Sequence, residues 1–68
     1  MNFTVEVERE TDKRWIAEVT DLPGVLVYAA TRKQAVAKAQ ALALRVLADR
    51  IEHGEKIPSI AKHFVEAA

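Results

Sequence analysis

"DLPGVLVYAAT", residues 21–31, sets a proline-glycine corner against six consecutive apolar residues and stops at a threonine. Pro23 fixes its own φ and biases Leu22 toward extended backbone, and Gly24 can take the positive φ that a type II turn demands at its third position. The chain therefore reverses at Pro23-Gly24. Val25–Ala30 then reads as a strand with little polarity on either face, Val25, Val27 and Ala29 on one side and Leu26, Tyr28 and Ala30 on the other. Thr31 ends it for a local reason. "TRKQ" has the form of a capping box, in which Thr31 accepts from the backbone of Gln34 and Gln34 reaches back to the amide of Thr31. A corner, a strand and a helix start thus follow one another without a linker.

Upstream, Phe3, Val5 and Val7 alternate with Thr4, Glu6 and Glu8, the period-two pattern of a half-buried strand. "ETDKR" is compatible with a short hairpin loop around Asp12-Lys13. Trp15, Ala17 and Val19 then alternate with Ile16, Glu18 and Thr20. Two antiparallel strands result, with Glu6, Glu8 and Glu18 able to share one face of the hairpin.

Downstream, an alanine-rich helix runs from Thr31 to about His53, roughly 33 Å at 1.5 Å per residue, with Gly54 supplying the left-handed C-terminal residue. On a wheel of about 100° per residue, Ala35, Val36, Ala39, Leu42, Ala43, Val46 and Leu47 form one stripe that should lie on the sheet. Ala37, Ala41, Leu44, Ala48 and Ile51 fall on the far side, leaving a narrow charged band of Lys38, Arg45, Asp49 and Glu52. A helix apolar around most of its circumference is buried on two sides; small alanines also serve helix propensity alone. The first reading makes Tyr28, Leu44, Ala48 and Ile51 candidates for self-association into a homodimer or higher homo-oligomer. In the tail, Ile60, Ala61, Phe64, Val65 and Ala68 keep helical spacing, yet the segment follows Pro58 and is short enough to form a closing strand over 61–67.

Size and composition limit what such a fold can do. The sequence of 68 residues suits one domain, and half of it is hydrophobic. A chain this short buries only about 60% of its unfolded surface and often borrows stability from a partner. Ten Lys and Arg balance ten Asp and Glu, so no net field would draw in nucleic acid or an anionic membrane. There is no cysteine, which removes thiolate catalysis and cysteine-based zinc sites and fits a reducing compartment. The start is acidic and alternating, unlike a signal peptide, and no run nears the roughly 18 apolar residues that span a bilayer. A cytoplasmic location is the expectation.

Candidate chemistry is sparse. Ser59 lies near His63 without an obvious orienting acid, and His53 and His63 are too far apart for the i, i+4 spacing of a helical metal site. The two glycines belong to a turn and a cap, so no phosphate loop exists. Glu6, Glu8 and Glu18 could hold a divalent cation, but Arg9, Lys13 and Arg14 are interleaved with them, the pattern of a solvated sheet face. No cofactor, metal site or enzymatic activity is expected.

Over "RWIAEVTDLPGVLVYAATRKQAVAKAQALALRVLADRIEHGE", residues 14–55, the sequence resembles the HicB-like antitoxins of toxin-antitoxin pairs. The family pattern is an acidic first strand (Glu6, Glu8), an aromatic early in the second (Trp15), a D-x-P-G corner (Asp21-Leu22-Pro23-Gly24) and a threonine (Thr31) opening a helix. The resemblance implies an α+β fold of order β-β-β-α-β over a single domain, residues 1–68, with a three-stranded antiparallel sheet, a long helix and a closing strand beside the first, in a partial ribonuclease H-like arrangement. It also implies a partner, a small basic HicA-type RNA-cleaving toxin neutralised by being covered, for which Glu6, Glu8 and Glu18 are the candidate contacts. Ribonuclease H chemistry is not implied, because the helix offers acids only near its end, at Asp49 and Glu52. Many family members append a DNA-binding ribbon-helix-helix or helix-turn-helix segment; these residues contain none, so direct nucleic-acid binding is not expected of them.

Overall fold

The computed structural model describes residues 3–61, 64, 65 and 67. Strands β1 (Val5–Arg9), β2 (Trp15–Val19) and β3 (Leu26–Ala29) form one antiparallel sheet in the order β1-β2-β3, followed by helix α1 (Arg32–Glu52) and a helical turn, α2 (Pro58–Ala61). The fold is α+β, a sheet with one helix across it. Alternation in the strands decides which face the helix covers: Ala17, Val19, Val25 and Ala29 are buried, with Phe3, Val5, Val7, Trp15 and Val27 packed against them.

The helix meets this face with Ala35, Ala39, Ala43 and Leu47, all buried. Three of the four are alanines, so the backbone of α1 lies close to the sheet and the core is thin; Val19 and Val25 are the largest side chains fully enclosed. The helix also outreaches what it covers. Its 21 residues span about 31 Å, against about 17 Å for a five-residue strand, and Ile57 and Ile60 pack where it overhangs.

Three local devices set these boundaries. Between β1 and β2, the Glu10 amide donates to the Arg14 carbonyl at 2.7 Å and that of Lys13 to Glu10 at 3.1 Å, which leaves the three-residue loop 11–13 with Lys13 at φ 71°. This is the hairpin loop in which a turn is followed by a left-handed residue. At the corner, the Val25 amide donates to Leu22 at 3.1 Å and Gly24 sits at φ 90°, as a type II turn requires. At the ends of α1, Thr31 Oγ1 accepts from the Gln34 amide at 3.1 Å; the return bond from the Gln34 side chain is not formed among the described residues. Gly54, at φ 87°, donates to Ile51 at 3.0 Å while Glu55 donates to Arg50 at 2.9 Å, the paired bonds of a Schellman cap.

The tail departs from the strand expected of it. Residues 58–61 turn as a helix, with the Ile60 amide donating to Ile57 at 2.9 Å and Ile60 entering the core. Pro58 stands at the first helical position, where its fixed φ is already suitable and its missing N–H costs nothing. Among the described residues beyond it no strand forms: Phe64 and Val65 are 75% and 92% exposed. The rest of the expected 61–67 strand, at positions 62, 63 and 66, lies outside the described residues.

Candidate functional site

The helix covers one face of the sheet, and among the described residues nothing covers the other. Strand pairing lays out that outer face as two short rows. Glu6 stands opposite Glu18, which stands opposite Leu26; Glu8 stands opposite Ile16, which stands opposite Tyr28. The three glutamates of the hairpin are thereby gathered at the β1 side, around a shallow hollow that they share with Ile16. Leu26 and Tyr28, each 42% exposed, stand on the β3 side, so the face grades from acidic to apolar across three strands.

None of the three carboxylates is in an ion pair among the described residues. The hairpin arginine Arg14 is committed elsewhere. Arg14 Nε bonds Asp12 Oδ2 at 2.6 Å, and its guanidinium lies 4.6 Å from the centre of the Tyr28 ring, a cation–π distance. Asp12 also accepts from the Arg14 amide at 3.2 Å. That amide, and then the guanidinium, hold its carboxyl below the usual carboxylate range against an opposing desolvation. The loop residue Asp12 thus fixes the arginine over the apolar end of the face and away from the acidic end.

The corner is tied to the same sheet. Asp21 Oδ2 accepts from the Thr4 amide at 2.7 Å, across 17 positions of sequence, and the Val19 amide donates to the Val25 carbonyl at 3.0 Å. Asp21 therefore binds the entry of β1 to the turn that launches β3. Local turn chemistry accounts for Pro23 and Gly24 but gives no signal for this bond.

The self-association candidates are exposed but are not brought together. Tyr28 is on the outer face of the sheet, whereas Leu44, at 57% exposure, Ala48 and Ile51 are on the helix, on the opposite side of the molecule. Leu44 flanks a groove between β1 and α1, lined also by Phe3, Val5, Val19, Ala43 and Leu47. Ile51 borders a second apolar hollow with Ile57, Ile60 and Phe64. Pro23, Gly24, Thr31, Gln34 and Gly54 occupy the turn and caps described above. Sequence reading grouped the faces of single strands correctly but did not join Ile16 and Leu26 to Tyr28; that needed the β2–β3 pairing register, which the corner at Pro23-Gly24 sets.

Among the described residues, no group of three or more His, Asp or Glu side chains is placed to share a metal ion, and no helix is long and apolar enough to cross a membrane. Comparison with protein-family models, curated proteins and solved structures finds no match to this chain. The reading of the site rests on its own geometry.

Proposed function

We propose that this protein is a non-enzymatic antitoxin-like module of the HicB-like kind, with a partial ribonuclease H-like fold, that neutralises a small basic RNA-cleaving toxin of HicA type by covering it in the cytoplasm. The observation that carries the reading is the outer face: Glu6, Glu8 and Glu18 are adjacent, unpaired by any cation among the described residues, and bordered by Ile16, Leu26 and Tyr28. A basic protein with an apolar patch beside its cationic rim is complementary to that gradient. Opposite charge speeds such an encounter more than it tightens the final complex, while the apolar end supplies desolvated contact area. The β-β-β-α order and the Asp21-Leu22-Pro23-Gly24 corner support the same family reading. The proposal includes self-association, because a thin core and an open sheet face leave apolar surface without a second layer.

The experiment is co-expression with a small basic toxin of this type: restored growth and co-purification are expected, and both should weaken when Glu6 and Glu18 are changed to lysine. The groove between β1 and α1 favours a second reading, an oligomeric ligand-binding or scaffold module of the same fold. Thermal stabilisation by small apolar ligands, with no toxin capture, would select it.

A further inference from the structure

Among the described residues the sheet has two free edges, and they differ in chemistry. β1 reads VEVER, three charged residues in five, a composition that discourages strand addition. β3 lies within VLVYAA, residues 25–30, with neither a charge nor a proline. Folded proteins seldom leave such an edge bare, because its amides and carbonyls are a template for another strand.

The direction of those groups follows from one bond. Val25 gives its carbonyl to Val19 of β2, so by alternation Val27 and Ala29 also face β2, and the amides and carbonyls of Leu26 and Tyr28 face the free edge. We infer that a second copy of this chain docks there, antiparallel and centred on Val27, joining the two sheets into one of six strands. The inference rests on the self-association part of the proposed function and names the surface it uses.

The register is self-complementary. Centring on Val27 sets Leu26 opposite Tyr28 of the second copy and the reverse, so the four backbone groups of these two residues each find a partner. It also pairs an exposed leucine with an exposed tyrosine on the outer face, an apolar cross-strand pair of the kind that stabilises sheets. Both residues are 42% exposed in the single chain. The competing edge fails the same test, since β1 pairing centred on Val7 would set Glu6 against Glu8 of the second copy, and like charges opposed are destabilising.

The joined sheet has a functional consequence. Leu26 and Tyr28 of both copies make a central apolar band, and the acidic ends lie outward on the same face, about 19 Å apart at about 4.8 Å per strand. One assembly then presents two basic-partner sites related by a twofold axis.

Val27→Cys gives the direct test. The chain has no other cysteine, and facing residues at the twofold of a non-hydrogen-bonded pair lie about 4.5 Å apart at Cα, within disulfide range. Mild oxidation should convert Val27→Cys to a covalent dimer and leave Val7→Cys single. In sedimentation, the wild type should run as a dimer, Leu26→Lys should lose the dimer with an unchanged circular dichroism spectrum, and Leu44→Glu should keep it. A wild-type dimer that Leu44→Glu splits, and that Val27→Cys does not cross-link, overturns the β3 interface while self-association stands. A wild-type monomer at high concentration removes both. Toxin capture by the wild type, compared with its Glu6→Lys, Glu18→Lys variant, reads the antitoxin role separately.

Discussion

Glu6 and Glu18 stand directly opposite each other on β1 and β2, two carboxylates in one cross-strand pair with no cation of the described chain paired to either. Facing like charges weaken a sheet, by up to about 1 kcal/mol relative to neutral pairs. Nothing in the fold requires this, since the side chains point away from the helix and the core lies on the other face. On the proposed reading, this pair serves contact with a basic partner rather than the fold.

Glu18→Lys converts the opposed pair to an attractive one. The variant should be more stable than the wild type by roughly 0.5–1 kcal/mol, read as a higher denaturation midpoint at fixed protein concentration. The same variant should associate with a basic toxin more slowly, with a weaker salt dependence. Stability and binding should thus move in opposite directions; a change that lowered both would assign Glu18 a structural role.

Gly24 offers a test of the corner alone. It sits at φ 90° and a Cβ there would meet nothing within 4 Å, so the penalty for a side chain is one of backbone conformation. Gly24→Ala should cost about 1–2 kcal/mol, on the order of 5–15 °C in thermal midpoint for a domain of this size. Gly24→Asn should cost less, because asparagine visits the left-handed region more readily. Equal losses for the two would point to a neighbour that the fold does not show.

Asp12 gives a pH dependence with a definite sign. Its carboxyl is held below the usual range in the folded chain, first by the Arg14 amide and then by the guanidinium. A group whose pKa falls on folding contributes stability that is complete above its unfolded value, near 3.9, and lost as pH drops through the lower folded value. Asp12→Asn should therefore flatten the fall of the thermal midpoint below about pH 4, with little change near neutrality. An unaltered acid slope would mean that the Asp12–Arg14 contact at the hairpin does not persist in solution.

Much of the architecture was legible because its signals are local. Alternation from Phe3 to Val7 and from Trp15 to Val19 gave the buried faces, Thr31 and Gly54 gave the two ends of α1, and Pro23-Gly24 gave the reversal. The misses are of another kind. Lys13 adopts a left-handed backbone without being a glycine, which the loop's length imposes and its composition conceals. The Asp21–Thr4 bond joins residues 17 positions apart and has no local signature. In the tail, helical spacing and strand-compatible residues coincided, and the outcome at 58–61 turned on Pro58 at the helix start and on Ile60 finding the core. The acidic candidates were legible as one face; their gradient into Ile16, Leu26 and Tyr28 was not, since it depends on register.

The central claim is that the open face of the sheet, acidic at β1 and apolar at β3, is a docking surface for a basic protein. Its most direct measurement is capture of a small basic HicA-type toxin by purified wild-type protein, beside a Glu6→Lys, Glu18→Lys double variant whose fold is verified by circular dichroism. Binding by the wild type that is lost in the double variant is the predicted result. Equal capture by both, or none by either, would contradict it.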